Sequence, residues 1–269
     1  MKPNIITFLA PKGGAGRTTA VMALASTIVE ERSFPSLIID ATPEASLRPA
    51  HKTTLGQWQR QMFRTGVQRD SLLVRHVVDE DALTEIINEH INDRFSKFGV
   101  VLIDTGGRLD DLALTAASHS NLLIAPFMDA LTALRISEEL NGVDLGGIPL
   151  YGLRCGDACN EAEQRAASAA FTAGRLFLRS LPYSPQLEDI SVDGHLSNTF
   201  TRLTCEHAIY DLSDPRRKPV RDFINVRSEI DKLLDEIRLA LGGYEVRKRT
   251  PMPRRTPLPL HELAGLLPT

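Results

Sequence analysis

Short apolar runs alternate along this chain with longer segments in which apolar residues recur every three or four positions. A run that is apolar throughout indicates a strand buried on both faces, and helical periodicity indicates an amphipathic helix. Such strands, separated by helices, are typical of a parallel sheet covered on both faces. The pattern therefore predicts a doubly wound α/β fold with a mostly parallel sheet. We predict strands over residues 5–10, 36–40, 100–104, 121–126, 150–153 and 176–181.

Helical periodicity divides the chain into a core and a tail. The last periodic segment carries a strong apolar stripe and is followed by Gly242-Gly243, a helix stop. Beyond it the composition becomes basic and proline-rich, which favours an extended tail. We therefore place one domain over residues 1–242 and a tail over residues 243–269. We predict helices over residues 18–31, 51–63, 81–95 and 226–241.

Composition narrows the class of protein without identifying a partner. The chain has 269 residues, 42% of them hydrophobic, and a net charge of -3, as in an ordinary globular protein. Cys155, Cys159 and Cys205 are too few for a disulfide framework, and we expect free thiols. No apolar run approaches the roughly 20 residues that span a bilayer, and the first run is typical of a buried strand, not of a signal peptide. We expect a cytoplasmic protein.

The sequence PKGGAGRTT, residues 11–19, lies between the first predicted strand and the first predicted helix. A glycine-rich turn in that position gathers backbone N–H groups around an anion, at the positive end of the helix dipole. The dinucleotide pattern G-x-G-x-x-G would begin with Gly14 and Gly16, but it fails at Thr19. The Thr18-Thr19 pair instead suits phosphate and Mg²⁺ coordination. The loop therefore favours a mononucleotide triphosphate.

Two predicted strands close on an acid. Asp40 ends SLIID and Asp104 ends VVLID. Next to a phosphate-binding loop, carboxylates at strand ends suit the water shell of Mg²⁺. The alternative is that each carboxylate caps the turn that follows it.

The loop Lys12-Gly-Gly-Ala-Gly-Arg17-Thr-Thr resembles the deviant Walker A motif, K-G-G-x-G-K-[ST], of the ParA/MinD family of partitioning and positioning ATPases. Lys12 makes the resemblance specific, because ordinary P-loops lack this lysine. Residues 40–44 stand where the family has D-x-D-P-Q, residues 100–107 resemble its Walker B strand, and Leu181-Pro182-Tyr183 is similar to its adenine-bordering segment. The resemblance covers roughly residues 1–190, and the MipZ and VirC1 branches are the nearest in character.

The resemblance implies a P-loop NTPase fold, an ATP-dependent homodimer, and ATP and Mg²⁺ as cofactors. It implies that Lys12 reaches the nucleotide of the other subunit and shares the catalytic role with Asp40, and that Thr18, Asp40 and Asp104 hold the metal. It also implies a protein partner, either ParB-like or a cargo adaptor. The residues implied in nucleotide binding are Lys12, Gly13, Gly14, Ala15, Gly16, Arg17, Thr18, Thr19, Pro182 and Tyr183.

Three substitutions depart from the family pattern. Arg17 replaces the P-loop lysine, and a planar guanidinium binds phosphate as a fork where an ammonium is a point charge. Thr42 replaces the aspartate tied to water activation, and Glu44 replaces a glutamine. We therefore predict nucleotide binding with slow or absent hydrolysis. The weaker alternative is that Glu44 takes over as the base.

The sequence does not decide which partners this protein binds besides a second copy of itself. ParA-like proteins often bind DNA non-specifically through basic residues, and the alternative for basic clusters is plain solvated surface. MinD-like membrane attachment is not favoured, because prolines interrupt the apolar C-terminal residues. A non-hydrolysing scaffold is a third hypothesis, and Lys12 argues against a ligase of the dethiobiotin synthetase type. The candidate DNA-binding residues are Arg216, Arg217, Lys218, Arg221, Arg247, Lys248 and Arg249.

Overall fold

The computed structural model describes residues 3–10, 14–31, 34–42, 47–90, 96–156, 161–211 and 213–243. These residues contain a seven-stranded sheet in which all neighbouring strands run parallel. The predicted parallel sheet is therefore confirmed. The strands are β1 (Asn4–Phe8), β2 (Ser36–Ala41), β3 (Leu72–His76), β4 (Val100–Thr105), β5 (Leu122–Phe127), β6 (Leu150–Arg154) and β7 (Arg175–Leu176).

Helices connect the strands and cover both faces of the sheet. Short 3-10 helices, Ala50–Lys52 and Pro215–Arg217, precede two of them. None of the helices in the described ranges is both long enough and apolar enough to cross a bilayer. The helices there are α1 (Arg17–Glu31), α2 (Thr54–Arg64), α3 (Glu80–His90), α4 (Asp111–Ser118), α5 (Ala130–Leu140), α6 (Glu161–Ala170), α7 (Pro185–Glu188), α8 (Ile190–Asp193), α9 (Leu196–Glu206) and α10 (Lys218–Leu241).

The core lies in layers on the two faces of the sheet. Helices α1, α2, α9 and α10 share one apolar cluster with the sheet, in which Trp58 and Phe223 are completely buried. Helices α3 to α6 supply two further clusters on the opposite face. Because both faces are covered, all six residues of β5 are buried. This explains why the strands stand out in the sequence as near-continuous apolar runs.

The strand order is β3-β2-β4-β1-β5-β6-β7, so the direction of winding reverses at β1. In open parallel sheets, ligands bind outside the carboxyl ends of the strands at such a reversal. At this edge β1 leads through the glycine-rich loop into α1, and β2 and β4 end beside it. The fold thus places the loop and both strand-end acids at one edge of the sheet.

The pattern misses β3 and places the final strand incorrectly. β3 is an edge strand with alternating burial, so it lacks the continuous apolar run that identifies the other strands. The predicted strand over residues 176–181 is wrong for most of its length, since β7 covers Arg175–Leu176. The backbone N–H of Phe177 donates to Gly152 of β6, but those of Leu178 and Arg179 donate to the carboxylate of Glu236. Leu181 then returns to the sheet as an isolated bridge to Cys155.

The start of the last helix also differs from the prediction. α10 begins at Lys218, before the predicted start at residue 226, because Pro219 lies in its first turn, where a missing N–H costs nothing. It ends at Leu241 with Gly242 as its C-cap, as predicted. α3 ends at His90 within the described residues, and the rest of the predicted helix, residues 91–95, lies outside them, as does the tail beyond Gly243.

Candidate nucleotide site

The glycine-rich loop has the backbone conformation of a phosphate-binding turn. Gly14 and Gly16 have φ angles of 86° and 80°, which are unfavourable for other residues. The α-helical ladder begins there, with Ala20 N donating to Gly16 O at 2.8 Å. A Cβ added at Gly16 would lie 3.0 Å from Cys155 Cβ. Position 16 therefore requires glycine for two reasons. Lys12 and Gly13 lie outside the described residues.

The two strand-end acids lie in one register row of the sheet. Asp40 of β2 pairs with Asp104 of β4, and both side chains are almost completely buried. In the first turn of α1, the Thr18 hydroxyl donates to Asp104 Oδ2 at 2.7 Å. The structure thus brings together the three residues predicted to hold a metal.

Arg17 also turns toward Asp104. Its Nε forms a salt bridge with Asp104 Oδ1, and Nη1 donates to the carbonyl oxygens of Gly106 at 2.8 Å and Ala10 at 3.4 Å. The Arg17 side chain is 11% exposed and that of Asp104 is fully buried. The guanidinium, which belongs to the first turn of α1, is therefore held against the end of β4 by residues at the strand ends.

Asp104 experiences opposing influences on its ionisation. Burial raises the pKa of its carboxyl, while the charge of Arg17 and the hydrogen bonds from Thr18 and Arg17 lower it. The neighbouring Asp40 adds to the upward shift. The net shift is upward, so the ionised carboxylate depends on the Arg17 guanidinium beside it.

Within the described residues, Asp40 receives hydrogen bonds on Oδ1 only, while His76 lies close to Oδ2 without forming one. Thr42 donates to Oδ1 through its hydroxyl at 2.6 Å and its backbone N–H at 3.2 Å. His76 Nδ1 of β3 lies 3.0 Å from Oδ2. Burial raises the pKa of Asp40, but the contacts with His76 and Thr42 outweigh it, so the pKa is lowered overall. The lowered pKa favours an ionised Asp40, with Thr42 donating to one oxygen and the His76 ring beside the other.

His76 is a site residue that the sequence pattern does not reveal. It ends β3 in register with Asp40, so three ionisable side chains, of His76, Asp40 and Asp104, follow one another across three strands. The available signal is the alternating burial of LLVRH at positions 72–76, which marks a half-buried strand. Recognising that strand would have placed a histidine beside Asp40.

The segment predicted to border adenine is linked to the loop through Cys155. Cys155, against which Gly16 packs, is bridged to Leu181, and Pro182 and Tyr183 follow directly. Pro182 and Tyr183 line a cavity of about 520 Å³ together with Lys218 and Asp222 at the start of α10. The Tyr183 side chain is half exposed. A nucleotide with its phosphates at the loop could therefore place its base toward this cavity.

The cysteines have no role in a metal centre within the described residues. Cys155 is a buried free thiol, and burial raises its pKa to about 12, so it stays protonated. Cys205 is an exposed free thiol, and Cys159 lies outside the described ranges. Over those ranges, no group of three or more His, Cys, Asp and Glu side chains is arranged to hold a metal ion.

The predicted Mg²⁺ site fits the donor set only in part. The Thr18–Asp104 pairing is compatible with a hydroxyl ligand supported by a carboxylate. However, the second oxygen of Asp104 is paired with Arg17, one oxygen of Asp40 accepts from Thr42, and the His76 ring lies 3.0 Å from the other. The residues as arranged do not match a site that offers two carboxylates to Mg²⁺.

The first basic cluster is partly neutralised within the protein. Arg216 forms two hydrogen bonds with the carboxylate of Asp214, at 3.0 and 2.7 Å, and its guanidinium lies 3.9 Å from the ring centre of Tyr210. Arg221 donates to the backbone oxygen of Asp214 at 3.0 Å. Arg217 and Lys218 flank this pair at the start of α10. The second cluster, Arg247, Lys248 and Arg249, lies outside the described residues.

Solved structures share this fold at low sequence identity. A proposed plasmid partition protein from Borrelia burgdorferi, bound to AMPPNP, has a TM-score of 0.53 and 18% identity, with 88% of this chain and 100% of that chain covered. A ParA family ATPase from Chlorobium tepidum has a TM-score of 0.54 and 14% identity, with coverages of 87% and 98%. The chain therefore has the P-loop fold of the ParA/MinD ATPases, as the sequence predicts.

Sequence comparison specifies the family further. The profile of the family described as VirC1 protein matches residues 3–145, more than half of the chain. This chain belongs to the VirC1 family. Protein virC1 of Rhizobium rhizogenes is 33% identical over 138 residues, which cover 51% of this chain and 54% of that protein. The chain thus spans about half the length of this relative.

Proposed function

We propose that this protein binds a nucleoside triphosphate at residues 12–19 and acts as a nucleotide-dependent dimeric switch. In this proposal it partitions or positions DNA or a cellular complex, and ATP hydrolysis is slow or absent. The observation that carries the proposal is the loop geometry: Gly14 and Gly16 have positive φ angles, and Thr18 is bonded to Asp104. These features suit a phosphate at the N-terminus of α1.

Two further observations support ATP as the ligand. The cavity lined by Pro182 and Tyr183 is large enough for a base, and Leu181, the residue before them, is bridged to Cys155 beside Gly16. The Borrelia protein with the same fold carries AMPPNP, an ATP analogue. We propose that Ala15 and Thr19, with Lys12 and Gly13, complete the phosphate site.

The proposal of weak hydrolysis rests on two contacts. Arg17 is bonded to Asp104, so its charge is not directed solely to a transferring phosphate. The Thr42 hydroxyl donates a hydrogen bond to Asp40. A hydroxyl has no useful basicity at neutral pH, so Thr42 cannot replace a carboxylate as the base. Charge stabilisation and water activation are the main contributions to phosphoryl transfer, and both are altered here.

Dimerisation and DNA binding are proposed from the family resemblance. Lys12 would contact the nucleotide of a second copy, and Arg217 and Lys218 are the described basic residues best placed for DNA phosphates, since Arg216 is already paired with Asp214. We propose a ParB-like protein or a cargo adaptor as the protein partner and the cytoplasm as the location.

Calorimetric titration with ATP and a mobility shift with random duplex DNA test the proposal together. We expect ATP to bind and to strengthen the DNA shift. Replacing Arg217 and Lys218 with Ala should lower the slope of log affinity against log salt by roughly 1 for each DNA phosphate that is no longer neutralised. The Arg165→Ala variant, on the exposed surface of α6, is the matched control and should bind DNA as the unmodified protein does.

A scaffold that binds no nucleotide is the second candidate function. The Arg17–Asp104 salt bridge favours it, since this contact pairs the buried Asp104 carboxylate with a cation of the protein itself. Absence of calorimetric ATP binding, with unchanged binding of a protein partner, would support the scaffold and contradict the nucleotide switch.

A further inference from the structure

The Asp104 carboxylate is already neutralised by a protein cation. Its Oδ1 is bonded to Arg17 Nε and its Oδ2 to the Thr18 hydroxyl. Both residues belong to the first turn of α1, the element that would contact phosphate. One buried negative charge thus faces one positive charge that is itself 11% exposed.

A divalent cation would meet unfavourable electrostatics at this position. Mg²⁺ in nucleotide sites relies on one or two carboxylates together with the phosphates. Here the nearest carboxylate is paired with Arg17, so a dication beside it would face a neighbouring guanidinium at short range. The second carboxylate, Asp40, accepts two hydrogen bonds from Thr42 on one oxygen, and the His76 ring lies 3.0 Å from the other.

The guanidinium has donors left for a phosphate. Nε contacts Asp104, and Nη1 contacts the oxygens of Gly106 and Ala10. In the described part of the chain, Nη2 has no hydrogen-bond acceptor in the protein. Because arginine is a rigid fork of five donors, it can bind a carboxylate with one side and a phosphate oxygen with another.

We propose that this site binds nucleoside triphosphate without a divalent cation, with the Arg17 guanidinium in the place beside Asp104 that Mg²⁺ takes in a metal-dependent P-loop. This inference rests on the proposed nucleotide binding and makes it more specific. The ligand is the metal-free polyphosphate, and Arg17 links it to β4. The arrangement also accounts for weak hydrolysis, because the metal normally neutralises charge that develops during phosphoryl transfer.

The test is ATP affinity of the full chain, measured by calorimetry in excess Mg²⁺ and again in excess EDTA. We expect the two dissociation constants of the unmodified protein to agree within about threefold. An affinity at least about tenfold weaker in EDTA overturns the inference while leaving the proposed nucleotide binding intact. No binding under either condition overturns both proposals.

The Arg17→Lys variant sharpens the comparison. Lysine is a compact point charge and cannot bridge carboxylate and phosphate as a fork. We expect its ATP affinity to become Mg²⁺-dependent by about tenfold or more, whereas Arg165→Lys, an exposed arginine on α6, should behave like the unmodified protein. Equal Mg²⁺ dependence of Arg17→Lys and the unmodified protein would contradict the role assigned to Arg17. Because the comparison in the unmodified protein is decisive alone, poor folding of the variant does not remove the test.

Discussion

The Arg17 guanidinium and the Asp104 carboxylate form a buried salt bridge between the start of α1 and the end of β4. This contact joins the two motifs of a P-loop site through protein groups alone. We expect the predicted phosphate-binding loop to keep its shape with this contact in place. We also expect the contact to weaken phosphate cleavage, because the Arg17 charge is shared with Asp104.

Breaking this salt bridge from one side should destabilise the fold. In Asp104→Asn, the Arg17 charge stays largely buried without a counter-ion, and we expect a loss of about 3 to 5 kcal/mol in the free energy of unfolding. Chemical denaturation measures this loss. The double variant Arg17→Met with Asp104→Asn removes both charges and should be more stable than Asp104→Asn alone. If the loss in the double variant equals the sum of the losses in Arg17→Met alone and Asp104→Asn alone, the two residues are not coupled.

Substitution at Gly16 should disrupt the loop through a steric clash as well as through backbone strain. Gly16→Ala would place its Cβ 3.0 Å from Cys155 Cβ at a φ of 80°. Gly142 has the same φ with open space around it, so Gly142→Ala is a matched control for the strain alone. We expect Gly16→Ala to lose about 1 to 3 kcal/mol more in the free energy of unfolding than Gly142→Ala. Equal losses in thermal or denaturant unfolding would argue against tight packing of the loop on Cys155.

Restoring the family residues should raise hydrolysis. In Arg17→Lys with Thr42→Asp, a point-charge cation and a carboxylate return to the site, and we expect the steady-state ATPase rate to rise by about 10² to 10⁴. Glu44→Ala in the unmodified protein is the companion test. If the unmodified protein hydrolyses ATP at an ordinary rate and Glu44→Ala abolishes it, then Glu44 acts as the base and the interpretation of Thr42 is wrong.

His195 should make stability depend on pH. It lies at the N-cap of α9, where burial lowers its pKa, but the hydrogen bond and charge of Glu30 outweigh burial and raise the pKa overall. Since the folded pKa is raised, the stabilisation is complete below the unfolded value of about 6.5 and is lost as pH rises through the folded pKa.

His195→Gln isolates this effect. The difference in free energy of unfolding between the unmodified protein and His195→Gln should be larger at pH 5.5 than at pH 8.5, as measured by urea denaturation. At high pH the neutral ring can accept from Asn198 N through Nδ1, at 3.0 Å, which the protonated ring cannot do, so part of the difference should persist. A difference that grows with rising pH would contradict the Glu30–His195 pairing.

Much of the fold follows from the sequence because the central strands are buried on both faces. β1, β2, β4 and β5 appear in the sequence as continuous apolar runs. The glycine-rich loop follows β1, and Asp40 and Asp104 lie at the carboxyl ends of β2 and β4, as the sequence predicts. The strands at the two edges of the sheet are less predictable. β3 has alternating burial, and the segment after β7 bonds to Glu236 of α10, a partner distant in the chain.

The site was predictable as a set of residues but not as a set of contacts. The motif spacing brings Thr18 and Asp104 together, and the structure shows that hydrogen bond. Nothing in the spacing indicates that Arg17 turns to Asp104 or that His76 lies against Asp40, because these contacts depend on side-chain direction and on the register of β3.

The fate of bound nucleotide tests most directly whether the site holds ATP without cleaving it. The full chain is incubated with ATP labelled on the γ-phosphate and the α-phosphate, isolated by filtration, and the bound nucleotide is identified by chromatography. We expect nucleotide to be retained and recovered as intact ATP, while Arg17→Lys with Thr42→Asp yields mostly ADP. Failure to retain nucleotide, or rapid conversion to ADP by the unmodified protein, would contradict this proposal.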